Sequence, residues 1–265
     1  MKVVLFCGGR GLRMRDGGAD VPKPLAVLGG RPLLWHLMSW YAAHGHTEFV
    51  LTLGYRGADI IQVIREQADP AWTVTFAETG LDTPIGQRLA QVKELVQRAP
   101  AFLANYADLL TDAPLGDMVD RFMASDATAG LLVVRPQASF HLVDLGPDDR
   151  VRRVGPVTQA PMWQNGGFFV MRPEIFDVIE DGEDLVDEPF NRLSEGGRLM
   201  AYPWEGFWAP LDTQKDRQRL QDLHLRGEQP WVRAQQLPVA QPADMTGDSL
   251  CEEDALEAPT ARQAV

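Results

Sequence analysis

Cysteine is nearly absent from this sequence of 265 residues, which contains only Cys7 and Cys251. Two cysteines are too few for a disulfide framework, and neither lies in a metal-ligand pattern, so we interpret both as free thiols. No apolar run approaches the roughly 20 residues that a transmembrane helix needs, and the chain opens on a strand-like segment instead of a signal peptide. We therefore expect a cytoplasmic protein with no membrane partner.

Positive charge is also scarce. The chain has 25 lysines and arginines against 37 aspartates and glutamates, which gives a formal net charge of −12. A protein that binds phosphate backbones needs a basic face, so this balance argues against a nucleic-acid partner. Only four of the basic residues are lysines, and one of them, Lys23, stands between Pro22 and Pro24. This placement favours a compact ammonium held by a restricted backbone over the planar fork of an arginine.

Signatures of nucleophilic hydrolysis are missing as well. The sequence has no Gly-x-Ser-x-Gly elbow, and neither cysteine has a candidate base close to it in sequence. The five histidines show no ligand spacing, and we interpret His36 as a packed or surface residue of a helix. Chemistry through a hydrolytic nucleophile therefore has no support.

A glycine-rich segment, residues 7–13 (CGGRGLR), follows an apolar run at residues 2–6 that is typical of a buried parallel strand. Three glycines in four positions let backbone N–H groups face one point, and Arg13 and Lys23 add cations. A dinucleotide fingerprint would need glycine where Met14 stands, and a Walker loop would need Gly-Lys-Ser/Thr, which is absent. The segment predicts a polyphosphate cradle, with a tight surface turn as the alternative.

Alternating strand and helix patterns predict an α/β fold with a doubly wound, mostly parallel, Rossmann-like sheet, whose ligands gather at the carboxyl ends of the strands. We expect strands at 2–6, 49–53, 72–76, 101–106 and 199–202, and helices at 33–44, 87–98, 176–179, 189–193 and 214–226. The segments 131–135, 140–145, 151–154 and 168–171 predict a mixed extension of the sheet that builds the acceptor side. Residues 232–265, rich in Gln, Pro, Ala and acid, are expected to form a mobile tail.

Two aspartates follow apolar runs that end at the predicted carboxyl edge of the sheet. Asp108 comes just after the run at 101–106, and Asp212 comes just before the helix at 214–226. A hard cation that bridges phosphates is held by one or two such carboxylates and water. Each aspartate could alternatively be a helix N-cap or a solvated loop residue, but together with the cradle they predict a metal site.

These residues carry a family resemblance. The glycine loop with Pro22-Lys23-Pro24 resembles the signature of sugar-phosphate nucleotidylyltransferases, and other segments are similar to glucose-1-phosphate cytidylyltransferases. Matching segments occur in the family's order at 35–38, 41, 44–45, 54–57, 78–80, 86–89, 106–108, 165–169, 188–189, 207–208 and 211–213. The resemblance implies a nucleotidylyltransferase domain over residues 1–231.

The resemblance implies that a sugar 1-phosphate oxygen attacks the α-phosphorus of CTP and that pyrophosphate leaves. Such in-line transfer needs positioning and charge neutralisation rather than a protein nucleophile. By the resemblance Arg13 and Lys23 are catalytic, and Asp108 and Asp212 hold Mg²⁺. The nucleotide would be bound by Gly8, Gly9, Gly11, Arg13, Lys23, Thr79, Gly80, Gly86 and Arg88. We expect loop amides or the Arg88 fork to prefer cytosine, which offers acceptors at O2 and N3, over uracil.

The acceptor side departs from the family pattern. Phe-Gly-Ala-Leu-Asp is replaced by residues 140–144 (FHLVD), and the Glu-Lys-Pro that grips the sugar phosphate is missing. Because a phosphate monoester still needs a cation, we expect Arg152 or Arg153 to supply it. The predicted acceptor-binding residues are His141, Arg152, Arg153, Asn165, Gly166, Gly167 and Glu188.

Two kinds of protein remain open on the sequence alone. One is a working nucleotidylyltransferase with an altered acceptor pocket, which uses CTP or another nucleoside triphosphate and a sugar phosphate. The other is a non-catalytic relative that binds nucleotide and regulates a partner. The presence of Lys23, Asp108 and Asp212 favours the enzyme. As further partners we expect other copies of the chain.

Overall fold

The computed structural model describes residues 1–9, 21–137 and 140–233. Within these ranges one sheet has seven strands, numbered here along the chain. From edge to edge they are β12 (Leu199–Trp204), β8 (Ala129–Val134), β11 (Gln164–Met171), β6 (Phe102–Tyr106), β1 (Lys2–Phe6), β4 (Glu48–Leu53) and β5 (Thr73–Glu78). The helices are α1 (Leu33–Ala43), α2 (Gly57–Gln67), α3 (Ile85–Gln91), α4 (Lys93–Val96), α5 (Leu115–Ala124), α6 (Glu188–Glu195), α7 (Gln214–Leu225) and α8 (Pro230–Arg233).

Strand direction confirms the expected doubly wound, mostly parallel sheet. β1 pairs in parallel with both β4 and β6, and β4 pairs in parallel with β5. β11 runs antiparallel to its neighbours β6 and β8, whereas β12 is parallel to β8. The strand order reverses at β1, and a ligand crevice forms outside the carboxyl ends of strands at such a switch point. The crevice therefore lies beyond Phe6 and Tyr106.

The two faces of the sheet bury separate cores. Alternation along β1 sends Val3 and Leu5 to one core and Val4 and Phe6 to the other. Helices α1, α2, α5 and α7 cover the first core, and helices α3, α4 and α6 cover the second. Both faces of the central strands are apolar because helices cover them on both sides, which leaves the edge at the carboxyl ends as the open part of this region.

Three short pairs of strands stand apart from the main sheet. They are β2 (Val27–Leu28) with β3 (Arg31–Pro32), β7 (Leu109–Thr111) with β13 (Trp208–Pro210), and β9 (His141–Leu145) with β10 (Val151–Pro156). The β7–β13 pair matters for the site, because it starts directly after Asp108 and ends just before Asp212. No helix in the described ranges is long and apolar enough to cross a membrane.

The structure differs from the sequence expectation in three places. Segments 131–135 and 168–171 do join the main sheet, but 140–145 and 151–154 form the separate β9–β10 hairpin, which pairs only with itself. Its residues are largely exposed, whereas the central strands of the main sheet are buried on both faces. The helix expected at 87–98 is broken at Val92 into α3 and α4. The helix expected at 176–179 is a 3₁₀ turn over Pro173–Asp177.

Other expectations are confirmed. Helix α1 stops at Ala43, and Gly45 follows with a φ of 83°, a conformation that favours glycine at a helix end. Helix α7 and strand β12 lie where the sequence pattern placed them. The tail predicted at 232–265 lies outside the described residues except for its first two.

Candidate active site

Lys23, Asp108 and Asp212 form a charged triad at the switch point of the sheet. Lys23 Nζ lies 3.0 Å from Asp108 Oδ2 and 2.5 Å from Asp212 Oδ1, and it donates a hydrogen bond to each. The Lys23 side chain is only 14% exposed, so these charges meet where water screens them incompletely. The structure thus brings together three residues that the sequence analysis singled out.

Local structure fixes each member of the triad. Lys23 begins a 3₁₀ turn, Lys23–Leu25, that follows Pro22 and contains Pro24, so its backbone has little freedom. Asp108 comes two residues after β6 ends. Asp212 is brought back beside it by the β7–β13 pair, and the Leu211 N–H donates to the Asp108 carbonyl over 2.8 Å.

The triad shifts the acidities of its members. Burial lowers the pKa of Lys23, but the Asp108 and Asp212 carboxylates outweigh burial and the net shift is upward. Burial raises the pKa of Asp108, and the Lys23 ammonium opposes that rise. Lys23 is therefore held firmly as a cation, whereas the net pKa shift of Asp108 is upward because burial outweighs the nearby Lys23 charge.

A cavity of about 220 Å³ opens beside the triad, and we call it the central cavity. It lies at the ends of β1 and β6 and is lined by Phe6, Cys7, Gly9, Lys23, Pro24, Ile85, Tyr106, Ala107 and Asp108. Burial raises the pKa of the Cys7 thiol, and Asp108 adds to the rise. Cys7 is therefore an uncharged residue in the lining of this cavity. Ile85 and Tyr106 were not singled out from the sequence. The signal for Tyr106 was its place at the end of the same strand that delivers Asp108.

A wider, shallower cavity of about 600 Å³ adjoins the central one, and Gly9 and Ile85 line both. We call it the outer cavity. It is lined by Gly9, Leu81, Asp82, Thr83, Pro84, Ile85, Arg88, Gly182, Asp184, Asp187 and Glu188. Its carboxylates offer many hydrogen-bond acceptors, which sequence reasoning overlooked apart from Glu188.

Arg88 is at this site, but its donors are used inside the protein. It is 2% exposed, and its guanidinium donates to the Leu53, Gly8 and Leu81 carbonyls and to Thr79 Oγ1. A side chain at Gly8 would clash with this guanidinium, which explains the glycine there. We expected loop amides or the Arg88 fork to face the nucleobase. In the structure Arg88 instead fastens the cradle to the loop that holds Thr79 and Gly80.

The glycines of this loop serve close packing and turning. Gly80 has a φ of 93°. A Cβ at Gly86 would come within 2.7 Å of the Glu183 carbonyl oxygen, so glycine lets the start of α3 approach the loop after residue 180. Gly80 and Gly86 therefore shape the wall of the outer cavity.

Asn165, Gly166 and Gly167 lie in β11 next to the central cavity. Asn165 Oδ1 accepts from the Gly167 N–H over 2.8 Å, and the Gly166 carbonyl accepts from Trp208 Nε1 over 2.8 Å. The Asn165 side chain is also hydrogen-bonded to Tyr106. Gly167 has a φ of 73°, and a side chain there would meet Tyr106. These residues set the position of Tyr106 at the cavity wall.

The remaining acceptor candidates are not brought to the triad. His141, Arg152 and Arg153 are exposed on the β9–β10 hairpin. Arg153 lines a separate cavity with Leu142 and Asp144, and no triad residue lines it. The hairpin pairs with no strand that ends at the triad, which is the physical reason for the difference. Gly11 and Arg13 lie outside the described residues.

The carboxylates fit a divalent cation. Asp108 and Asp212 each direct an oxygen at one point, where the Lys23 ammonium now supplies the positive charge. The described residues contain no cluster of three or more metal-ligating side chains. A site with only two carboxylates suits a hard metal ion whose remaining coordination positions are filled by phosphate oxygens and water.

The chain is similar to known proteins in both sequence and fold. The family model described as nucleotidyl transferase matches residues 2–211. Glucose-1-phosphate cytidylyltransferases of Salmonella typhimurium and Salmonella typhi are each 32% identical over 258 residues, which covers 87% of this chain and 98% of theirs. A UTP-bound UGPase structure from Acinetobacter baumannii has a TM-score of 0.65 at 18% identity, covering 86% of this chain and 94% of that one. From its sequence, its fold and the residues at its switch point, the chain belongs to the nucleotidyl transferase family.

Proposed function

We propose that this protein transfers a cytidylyl group from CTP to a sugar 1-phosphate, giving a CDP-sugar and pyrophosphate. The convergence of Lys23, Asp108 and Asp212 at the switch point carries the proposal. The 32% identity to glucose-1-phosphate cytidylyltransferases over most of the chain supports CTP as donor and glucose 1-phosphate as acceptor.

The chemistry needs no covalent intermediate. A non-bridging oxygen of the acceptor phosphate forms a bond to the α-phosphorus, and the bond from that phosphorus to the bridging oxygen breaks. Pyrophosphate leaves with the bonding electrons. The acceptor phosphate is largely dianionic at neutral pH, so no base has to remove a proton. The buried, neutral Cys7 thiol takes no part.

Lys23 has the central role in this proposal. Its ammonium, already pointing at the space between two carboxylates, is a compact charge that can turn to the α-phosphate as negative charge develops there. The glycine cradle, from Gly8 through Gly11, together with Arg13, is proposed to hold the triphosphate. Of the two cradle glycines that the structure describes, Gly9 has no atom within 4 Å of the place of a Cβ, so its backbone can be approached. Gly9 also lines both cavities.

A divalent cation is expected to complete the site, and we propose Mg²⁺ held by Asp108 and Asp212. When bound, such an ion neutralises phosphate charge and orients the oxygens that it contacts. With such an ion held by Asp108 and Asp212, Lys23 would be able to leave the two carboxylates, because the ion would offset their charge.

The outer cavity supports a preference for CTP over UTP. Cytosine carries an amino group at position 4, whereas uracil carries a carbonyl there. Asp82, Asp187 and Glu188 line this cavity, and carboxylates accept hydrogen bonds but donate none when ionised. The Arg88 guanidinium, bonded internally, has no role in base reading in this proposal.

We further propose that the chain forms homo-oligomers through the β9–β10 hairpin. Val143 is paired with Val154, and Leu145 with Val151, and all four side chains are more than half exposed. A lone two-stranded sheet is marginal in water, and two such aliphatic faces can pack on each other. A cytoplasmic location stays a prediction that cell fractionation can test.

Pyrophosphate release tests the function directly. Purified protein with Mg²⁺ and glucose 1-phosphate should release pyrophosphate with CTP and much less with UTP, ATP or GTP. The nucleotide product should appear as CDP-glucose by mass spectrometry. Absence of pyrophosphate with every pairing of these nucleotides and a panel of sugar 1-phosphates would reject the proposal.

A further inference from the structure

A third cavity adjoins the triad from the side of helix α7, and we call it the α7 cavity. It has a volume of about 340 Å³ and is lined by Gln137, Gln164, Trp208, Ala209, Pro210, Asp212, Thr213, Asp216 and Arg219. Asp212 lines this cavity, whereas Lys23 and Asp108 line the central one. Because Lys23 bridges the two carboxylates, the triad connects a residue that lines the α7 cavity with residues that line the central cavity.

This arrangement suits a reaction with two phosphorylated substrates. In-line displacement at phosphorus requires the attacking oxygen and the leaving group to be on opposite sides of the reacting atom. A nucleotide in the central and outer cavities would leave the α7 cavity for the attacking molecule. That molecule carries about two negative charges and needs a cation close to Asp212.

Arg219 is the cation at this position. It is the only lysine or arginine among the described residues that line the α7 cavity. Within the described chain its guanidinium donates one hydrogen bond, from Nη1 to Gln137 Oε1 over 3.3 Å, so most of its five donors can turn to a ligand. A guanidinium fork also matches the paired oxygens of a phosphate group.

The neighbouring carboxylate of Asp216 does not neutralise Arg219. Asp216 Oδ2 accepts from the Asp212 N–H, the Thr213 N–H and Thr213 Oγ1, in the capping box that starts helix α7. Those three donors hold the Asp216 carboxylate at the start of the helix. Arg219, three residues further along the same helix, lines the cavity and forms no ion pair with Asp216.

The rest of the lining suits a sugar. Gln137 and Gln164 offer amide groups to hydroxyls, and the Trp208 ring is fixed because its Nε1 donates to the Gly166 carbonyl. Flat aromatic surface beside amide groups is the usual environment for a sugar ring.

We propose that Arg219 binds the phosphate of the sugar phosphate acceptor in the α7 cavity. The proposal rests on the proposed function and specifies its acceptor site. It replaces Arg152 and Arg153, which lie on the exposed hairpin and line no cavity together with a triad residue.

Steady-state kinetics separate the two substrates. Loss of a charged hydrogen bond to phosphate should raise the KM for glucose 1-phosphate about tenfold to a hundredfold in Arg219→Ala, with the KM for CTP within about twofold. Arg219→Lys should recover part of the loss. Arg217→Ala is the matched control, because it removes the same charge from the same helix at a position outside the cavity.

Calorimetric titration with glucose 1-phosphate distinguishes this inference from the proposed function. Wild-type protein should bind glucose 1-phosphate in the presence of Mg²⁺ and a CTP analogue with a non-hydrolysable α–β bridge. Arg219→Ala should bind at least tenfold more weakly. If wild-type protein releases no pyrophosphate but this difference in binding persists, the function fails and the acceptor site stands. Turnover with an unchanged acceptor KM in Arg219→Ala, or no binding of glucose 1-phosphate by wild-type protein, would overturn the acceptor site.

Discussion

Lys23 and Asp212 are 189 residues apart in the sequence, yet the Lys23 ammonium lies 2.5 Å from Asp212 Oδ1. The same ammonium bonds to Asp108, so one cation lies between two carboxylates and offsets part of their mutual repulsion. The pair thus links charge balance in the free protein to the chemistry proposed for the bound state. Removal of any one of these three side chains should leave the charges of the other two less well balanced.

We expect Lys23→Ala and Asp108→Ala each to reduce the rate of pyrophosphate release by a hundredfold or more while the protein stays folded. Loss of one contact to charge that develops in the transition state typically costs about 3 kcal/mol in the barrier. Release assays with CTP and glucose 1-phosphate measure the effect, and circular dichroism checks the fold. Lys93→Ala, which removes another lysine far from the triad in sequence, is the control. Near-wild-type turnover in either triad variant would contradict the assignment.

Arg88 should matter for stability rather than for base choice. In Arg88→Met the Leu53 and Gly8 carbonyls keep the donors Thr79 and Tyr55, whereas the Leu81 carbonyl and Thr79 Oγ1 lose the guanidinium, and a buried acceptor left unsatisfied costs about 1–3 kcal/mol. We expect the unfolding midpoint to fall by several degrees, whereas the ratio of CTP to UTP turnover in the remaining activity stays the same.

The control for Arg88 is Arg98→Met, which changes an exposed arginine and should leave the midpoint near the wild-type value. Differential scanning calorimetry gives the midpoints, and paired assays with CTP and UTP give the ratio. A large fall in the ratio in Arg88→Met would mean that the guanidinium reads the base after all.

Site residues could be predicted from the sequence where a recognisable motif stands at the end of a predicted strand. Asp108 and Lys23 could be predicted because each stands at the end of a recognisable motif, and parallel strands bring such ends to one edge. The internal role of Arg88 could not be predicted, because its acceptors come from three separate segments that only the fold assembles. Alternation predicted the strands at 140–145 and 151–154, but alternation does not specify a pairing partner. Arg219 could not be predicted, because the residue pattern of its surface helix does not indicate that a cavity lies next to it.

Acid should destabilise the protein through His46. Burial lowers the pKa of His46 to about 4 from its usual 6.5, with the N-terminal ammonium as a smaller cause. The folded state then binds the proton less readily than the unfolded chain. Stability is complete above about pH 6.5 and is lost progressively as the pH falls from 6.5 towards 4. Burial also lowers the pKa of His36, which acts in the same direction.

Urea unfolding between pH 7 and pH 4.5 measures this dependence. In His46→Gln the decline in unfolding free energy below pH 6.5 should be shallower than in wild-type protein. His141→Gln, which changes an exposed histidine of the hairpin, should keep the wild-type slope. Equal slopes in all three proteins would exclude His46 as a source of acid sensitivity.

The hairpin should determine the oligomeric state. Val143 and Val154 are cross-strand partners on an aliphatic face whose side chains are more than half exposed, and a carboxylate buried there against a second copy would have no partner. We expect wild-type protein to sediment as an oligomer at micromolar concentration and Val143→Asp to sediment as a monomer, with a dissociation constant raised by at least about a hundredfold.

Val27→Asp is the matched control, because Val27 is also about half exposed, at 49%, but lies on β2 away from the hairpin. Sedimentation velocity over a concentration series distinguishes the three proteins. A monomeric wild-type protein, or an oligomer that survives Val143→Asp, would show that this face does not join copies of the chain.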